Sequence, residues 1–319
     1  MPNNSLNFNL SEPKIAVTSS SFGKSNTLRE ELKKSFQNCF FNELGRPLTE
    51  LEMVEFIKDA DAVVVGTEIM TENVLSHAPR LKIISKYGVG LDNIDKNLLE
   101  KRGIYLGWTG GVNRRSVAEL TLCFMLGLCR NIFAAGFKLK QSTWEKNGGY
   151  QLTGKTIGII GCGYTGSEVI KLLRPFHCDL LICDIVDKSK FCIEENAIEL
   201  PLEDVVARSN IISFHVPLTS LTKGMVNANL LAQMKPNAFL INTSRGGVVD
   251  QQALKESLKA NRIAGAALDV FSEEPPNDQE LLSLSNLMVT PHIAGNAQES
   301  VEAMGQSAID HLISYFKNQ

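Results

Sequence analysis

Three residues in the carboxyl-terminal part of the chain carry groups that could act together on a carbon–oxygen bond. Arg245 stands in Asn242-Thr-Ser-Arg-Gly-Gly247, Glu274 in Leu268-Asp-Val-Phe-Ser-Glu-Glu-Pro275, and His292 in Thr290-Pro-His-Ile-Ala-Gly295. Each lies near the end of a short apolar run that reads as a strand, and open α/β sheets bind ligands beyond the carboxyl ends of their strands. A guanidinium is always charged and bonds bidentately, which suits holding a carboxylate and polarising a carbonyl. An imidazole titrates near physiological pH, which suits giving or taking one proton. A neighbouring carboxylate raises that pKa and fixes the tautomer. Hydride transfer to or from a carbon bearing oxygen needs all of these tasks, with a nicotinamide carrying the hydride. Taken singly, the three residues also read as a surface ion pair, a structural histidine and a solvated glutamate. Their joint occurrence on three successive strands is what links them.

A second motif supplies the place for a nicotinamide carrier. Gly161, Gly163 and Gly166 form G-x-G-x-x-G directly after the strand Thr156–Ile160, and a helical run containing Val169, Ile170, Leu172 and Leu173 follows. The first glycine allows a tight turn, the second lets backbone approach a pyrophosphate, and the third lets the helix pack on the strand. The helix amino terminus offers free N–H groups to the anion. Asp184 lies eighteen residues beyond Gly166, at the end of the next strand, where a carboxylate can accept from an adenosine ribose. Ile185, Val186 and Asp187 include no arginine to receive a 2′-phosphate, so NAD is expected over NADP. A rival phosphate motif fails. Ser21-Phe-Gly-Lys-Ser25 has the G-K-S of a P-loop, but Thr18 stands where the pattern needs its first glycine. That stretch reads as an ordinary βα loop.

The elements that must position these groups alternate along the whole chain. Candidate strands are 14–19, 62–67, 82–87 and 104–108, then 156–160, 179–183, 210–216, 238–243, 264–270 and 287–290. Several are apolar on both faces, such as Ala-Val-Val-Val at 62–65, as parallel strands buried on both sides are. Strand–helix alternation implies βαβ units and a doubly wound α/β fold. One long helix is expected over 113–133, with Val117, Leu120, Thr121, Phe124, Leu128 and Ile132 on one face. Gly110-Gly111 before it marks a domain boundary near 110–112, the plainer alternative being a loop within one large domain.

Composition excludes several classes. The 319 residues leave room for two domains, and 44% hydrophobic with 21% charged residues is ordinary globular usage. A net charge of -3 argues against nucleic acid as partner. The most apolar stretch, 120–129, is well short of the roughly 20 residues of a membrane span. The polar amino terminus lacks the features of a signal peptide. Seven scattered cysteines without a C-x-x-C pair fit free thiols in a reducing cytoplasm and no metal site.

Taken in order, Tyr87-Gly-Val-Gly-Leu-Asp-Asn-Ile-Asp95, Asn113-Arg-Arg-Ser-Val-Ala-Glu-Leu120, the glycine turn with Asp184, His215-Val-Pro-Leu-Thr219 and the three stretches around Arg245, Glu274 and His292 show a resemblance. The chain resembles the D-isomer-specific 2-hydroxyacid dehydrogenases, in the phosphoglycerate dehydrogenase-like branch, over nearly its whole length. The resemblance implies two Rossmann-like, doubly wound parallel-sheet domains separated by a cleft. One, 1–110 with 297–319, would bind substrate and be completed by the last helix, about 297–316, with its stripe of Val301, Met304, Ala308 and Leu312. The other, 111–296, would bind NAD. The resemblance further implies that Arg245 grips the substrate carboxylate and carbonyl, that His292 is the acid/base with Glu274 as partner, and that Asp269 bonds the nicotinamide carboxamide. Backbone around Val89 and Gly90 would hold the substrate carboxylate. Tyr164 and Thr165 would lie on the pyrophosphate, with His215, Val216 and Pro217 beside the adenosine. Thr243, Ser244, Ala294 and Gly295 would complete the cofactor site, and a homodimer would form through about 113–154.

The chain departs from the family pattern where Thr109-Gly110-Gly111 replaces the frequent Thr-Pro-Gly, which implies a looser hinge. Arg114 and Arg115 stand where either an anionic substrate or solvent could meet them. Rival readings are a glyoxylate or hydroxypyruvate reductase and a non-catalytic, NAD-sensing corepressor-type module. Formate dehydrogenases carry glutamine at the position of Glu274, and an adenosylhomocysteine-hydrolase-like enzyme would be much longer. The chain ends twenty-seven residues beyond His292, so serine feedback through an added carboxy-terminal domain is not expected.

Overall fold

A computed structural model describes residues 13–318. The chain divides into two compact units, one running to Asn113 and resuming at Gln298, the other Arg114–Ala297.

The first unit is built on five parallel strands: β1 (Ile15–Val17), β2 (Cys39–Phe41), β3 (Ala62–Val65), β4 (Ile83–Lys86) and β5 (Tyr105–Gly107), in the order β2-β1-β3-β4-β5. The β3 run Ala-Val-Val-Val is buried at every position, because helices cover both sheet faces. Helix Gln298–Lys317 closes one face with Met304, Ala308 and Leu312, all buried, while Val301 is half-buried. The Ser85 hydroxyl donates to the Ala308 carbonyl at 2.7 Å and ties that helix to β4. The stretch Ser21–Ser25, expected as loop, is a short helix, Ser20–Lys24. Ser19 caps it by accepting the Phe22 N–H at 3.3 Å.

The second unit has seven parallel strands: β6 (Thr156–Ile160), β7 (Asp179–Cys183), β8 (Ala197–Glu199), β9 (Ile211–Phe214), β10 (Phe239–Asn242), β11 (Gly265–Leu268) and β12 (Leu287–Val289). Their order, β12-β11-β10-β9-β6-β7-β8, reverses direction between β6 and β9. In doubly wound sheets the ligand crevice lies at that reversal.

The helix expected over 113–133 stops at Cys129. Helix Arg114–Cys129 is followed by helix Ile132–Lys140, bent from it by 65°. Asn131 at the break is left-handed, with φ 51°. The returning chain takes over the freed helix end. Tyr150 N–H donates to the Cys129 carbonyl at 2.7 Å, and Arg130 Nε donates to the Gly148 carbonyl at 2.9 Å. Phe124 and Met125 are buried on the sheet, whereas Ile132 is exposed and leaves the apolar face assigned to it. Among the described residues no single helix is long and apolar enough to cross a membrane, and no cluster of metal-binding side chains occurs.

Candidate active site

The glycine turn is dictated by sterics. Gly161 has φ +89°, and a Cβ there would lie 2.7 Å from the His215 carbonyl oxygen. A Cβ on Gly166 would lie 2.1 Å from the Gly161 oxygen. Gly163, by contrast, opens onto space and caps helix Tyr164–Leu173 without any side-chain bond, so the first-turn N–H groups face outward unfilled by protein side chains. Two crowded glycines and one open one, at an uncapped helix start, fit a pyrophosphate. Tyr164 is exposed and Thr165 half-buried beside it.

Asp184 is tied to this turn. Its carboxylate accepts the Cys162 N–H at 2.7 Å and the Val186 N–H at 2.9 Å. Lys188 Nζ stands 3.7 Å from the same carboxylate. Sequence reasoning stopped at Asp187 and missed this cation, although a spacing of four is what would bring it back. On the other flank, the His215 carbonyl and the Val216 side chain form the wall behind Gly161. The His215 ring bonds Ser213 Oγ through Nε2 at 2.9 Å, and its Nδ1 is buried without a partner. Burial lowers its pKa to about 4, so it is neutral at physiological pH. Pro217 is exposed.

Arg245 follows β10. Buried Asn242 folds the turn: its Oδ1 accepts the Ser244 N–H at 3.0 Å and the Ser244 hydroxyl at 2.8 Å, and its Nδ2 donates to the Arg245 carbonyl at 2.9 Å. Thr243 faces the other way and shares a 3.0 Å hydroxyl bond with Thr121. Arg245 Nη1 donates to the Ser244 carbonyl at 2.7 Å.

His292 and Glu274 meet. His292 Nδ1 lies 2.7 Å from Glu274 Oε2, while Glu274 Oε1 accepts the Phe271 N–H at 3.0 Å. Glu273 turns away and accepts from Asn277 at 3.0 Å. The bond to Glu274 raises the His292 pKa. Burial opposes it, the charges of Glu274 and Asp269 add to it, and the Arg245 charge subtracts from it. Burial works to raise the Glu274 pKa, but the His292 bond, the Phe271 N–H and the nearby positive charges outweigh it, and the net shift is downward. With Nδ1 engaged, Nε2 is the ring nitrogen left to exchange a proton.

Asp269 is wholly buried. Its carboxylate accepts the Thr290 hydroxyl at 2.6 Å, the Ile293 N–H at 2.8 Å and the Ala294 N–H at 2.9 Å, and its carbonyl accepts the His292 N–H at 2.8 Å. Where the resemblance puts it on a nicotinamide, its visible work is to fix the backbone that carries His292. Ala294 is buried and Gly295 half-buried; the Ala294 carbonyl accepts Ser116 Oγ at 2.5 Å. Arg115 Nη1 pairs with Glu168 at 2.9 Å and its Nε with Glu119 at 2.8 Å, so it fastens the long helix to the helix of the glycine turn; Arg114 lies 3.9 Å from Glu168.

In the first unit, Val89 and Gly90 lie half-buried in the loop after β4. Trp108 Nε1 donates to the Val89 carbonyl at 2.9 Å, a contact no sequence rule pointed to. It fixes the peptide plane that also carries the Gly90 N–H.

A family model for the D-isomer specific 2-hydroxyacid dehydrogenase NAD binding domain matches residues 122–294. The chain is 38% identical over 291 residues to a D-3-phosphoglycerate dehydrogenase of Methanocaldococcus jannaschii, covering 89% of this chain and 55% of that protein, about half its length. It is 38% identical over 277 residues to a glyoxylate reductase of Thermococcus litoralis, covering 84% of each. A solved D-lactate dehydrogenase of Aquifex aeolicus, in complex with NAD and lactic acid, matches with TM-score 0.84 and 27% identity over 96% of both chains. An NADPH-dependent glyoxylate/hydroxypyruvate reductase of Sinorhizobium meliloti, with NADP and malonate, matches with TM-score 0.83 and 27% identity, covering 94% of that chain and 96% of this one. The chain belongs to the D-isomer specific 2-hydroxyacid dehydrogenases, oxidoreductases that use a nicotinamide dinucleotide to interconvert 2-hydroxy and 2-keto acids.

Proposed function

We propose that this protein interconverts a small anionic D-2-hydroxy acid and its 2-keto acid with NAD(H), using Arg245, Glu274 and His292. The observation that carries the reading is the 2.7 Å contact of His292 with Glu274, with the charge of Arg245 acting on both. An NAD-sensing corepressor-type module can keep the same residues, and turnover of 2-keto acids separates the two readings.

Gly161, Gly163 and Gly166 would hold a nicotinamide dinucleotide, which would supply or take up the hydride. The protein does the rest. Arg245 holds the substrate carboxylate and stabilises negative charge on the carbonyl oxygen. His292, whose protonated form is favoured by the contact with Glu274, gives that oxygen a proton during reduction and takes it back during oxidation. In the first unit, the Val89–Gly90 backbone pinned by Trp108 is the stretch that the family resemblance assigns to substrate. Asp184 favours a free ribose hydroxyl and repels a 2′-phosphate, and Lys188 tempers that repulsion.

Phosphoglycerate dehydrogenase-like activity is the main reading, and a glyoxylate or hydroxypyruvate reductase is the alternative; relatives of both names are 38% identical to the chain. Oxidation of NADH with glyoxylate, hydroxypyruvate, pyruvate and 3-phosphohydroxypyruvate separates them, and no turnover of any 2-keto acid overturns the enzyme reading. NADH is expected to exceed NADPH by at least about tenfold in kcat/KM, or roughly 1.4 kcal/mol. Equal efficiency overturns the assignment of Asp184.

A homodimer through 113–154 is part of the proposal. Ile132, Phe133, Phe137, Trp144 and Tyr150 are exposed along that arm, more apolar surface than a free face usually carries. A monomer in sedimentation equilibrium rejects it. Free cysteines throughout the described residues fit a cytoplasmic protein, the remaining element of the reading.

A further inference from the structure

The turn that carries Glu274 is fastened at both ends to one helix. Helix Gln251–Lys259 starts shortly after Arg245, with Asp250 Oδ1 capping it through the Ala253 N–H at 3.0 Å. From its first position, Gln251 Oε1 accepts the Ser272 N–H at 3.0 Å and also the Ser272 hydroxyl. One helical turn along the same face, Lys255 Nζ reaches Asp278 Oδ2 at 2.8 Å and Glu280 Oε2 at 3.3 Å, with its side chain only 13% exposed. Asp278 in turn caps the next short helix through the Leu281 N–H at 3.0 Å. Ser272 and Asp278 therefore bracket Glu274. The Arg245 strand end is pressed against the same turn: a Cβ on Gly246 would lie 1.9 Å from the Phe271 carbonyl carbon and 2.4 Å from the Ser272 nitrogen.

We propose that Gln251 and Lys255 are positioning residues for the acid–base pair, gripping both ends of the 271–278 turn and so setting how closely Glu274 engages His292. The inference rests on the reading of His292 and Glu274 as that pair. A charge-assisted bond is short and strongly dependent on distance, so a turn released at Ser272 and Asp278 loses it before it loses its fold. The groups that act on the His292 ring are Glu274, Asp269 and Arg245. Those facing Lys255 are Asp278 and Glu280, the latter shared with Lys259. Lys255 is not among the charges acting on His292. Removing a distant positive charge would by itself raise an imidazole pKa, whereas loosening Glu274 lowers it. The two explanations thus carry opposite signs.

The test is a proton NMR titration of the His292 ring in the cofactor-free protein, its signal assigned by loss in His292→Asn. Glu274→Gln gives the reference shift. The double variant Gln251→Leu/Lys255→Met is expected to move the His292 pKa downward by at least half that reference shift. Lys255→Arg should restore most of it in the Gln251 wild-type background, and Lys259→Met should leave it in place. In the holoenzyme the limb of kcat/KM for reduction should move in the same direction, with NADH affinity changed less than twofold. An unmoved or raised His292 pKa in the double variant, with Glu274→Gln still shifting it, overturns the positioning role. An unmoved pKa in Glu274→Gln overturns the acid–base pair itself. Should the double variant fail to fold by circular dichroism, the direction of the shift in Lys255→Met decides.

Discussion

Asp269 and Glu274 lie five residues apart and hold His292 by opposite means. Asp269 is fully buried and its carboxylate is filled by three protein donors from Thr290, Ile293 and Ala294. It acts on backbone, and it keeps His292 at φ 54°, a left-handed conformation that non-glycine residues seldom adopt. Glu274 has a side chain 38% exposed and meets the His292 ring alone, apart from one N–H of its own turn. The difference teaches how one kind of side chain divides into two tasks. A carboxylate saturated inside the core is scaffolding, because protonating it would strand buried donors. One with a single titratable partner at the surface of the site can follow the proton that the partner gains or loses.

The largest expected effect probes the cation whose charge acts on His292 and Glu274. Arg245→Ala should cost on the order of 10² to 10³ in kcat/KM, about 2.7–4 kcal/mol, with NADH affinity little changed. Retention of more than about a third of wild-type efficiency, less than 1 kcal/mol, means that Arg245 has been misassigned.

Asp269→Asn replaces one acceptor oxygen by a donor within a buried set of donors. It should lower stability to urea by about 1–3 kcal/mol, the cost of a buried group left unmatched. The pH at which reduction falls should hardly move. A pH limb that shifts while stability stays constant would erase the contrast between the two carboxylates.

Glu274→Gln should do the reverse. The His292 pKa is raised in the folded protein, so the imidazolium that reduction needs is present below that raised value and is lost as pH rises through it. Oxidation, which needs the neutral ring, gains over the same range. Removing the Glu274 charge lowers the His292 pKa, so the reduction limb should move to lower pH, with activity reduced and stability nearly unchanged. Kcat/KM against pH in Glu274→Gln and Glu273→Gln checks this; a shift confined to the Glu273 variant would reverse the assignment.

The smallest effect concerns a loop in the other unit that is fixed through backbone alone. Trp108→Phe keeps an aromatic ring but removes the donor to the Val89 carbonyl, and should raise KM for the keto acid a few-fold, about 1 kcal/mol, with kcat nearly constant. An unchanged KM would free the Val89–Gly90 loop from any dependence on Trp108.

Much of this was legible beforehand, and the failures have physical causes. The strands β2 and β8 went unread because each is a three-residue edge with half-exposed positions, too short for an apolar run to declare itself. The long helix was read past its end because the apolar pattern resumes at Ile132, beyond Arg130-Asn131; in helix Ile132–Lys140 that pattern faces outward. Arg115 could be placed near a helix start, but its partner Glu168 stands fifty-three residues away.

The glycine turn belongs to the sequence itself. Only the collision of a Gly161 Cβ with the His215 carbonyl comes from distant chain; Gly161 needs its left-handed φ of +89°, and a Cβ on Gly166 would strike the Gly161 oxygen, so both demands arise within the turn. The same holds for the doubly wound sheets, whose strands are apolar on both faces and so require cover on both. Which of two adjacent glutamates meets His292 was decided elsewhere. Glu273 and Glu274 are chemically alike, and nothing in their local order separates them. The choice follows from the path of the 271–278 turn, pressed against Gly246 and held by Gln251 and Lys255, which points one carboxylate at the ring and the other at Asn277. A salt-bridged pair is a property of where distant backbones come to lie, and only tertiary packing sets that distance.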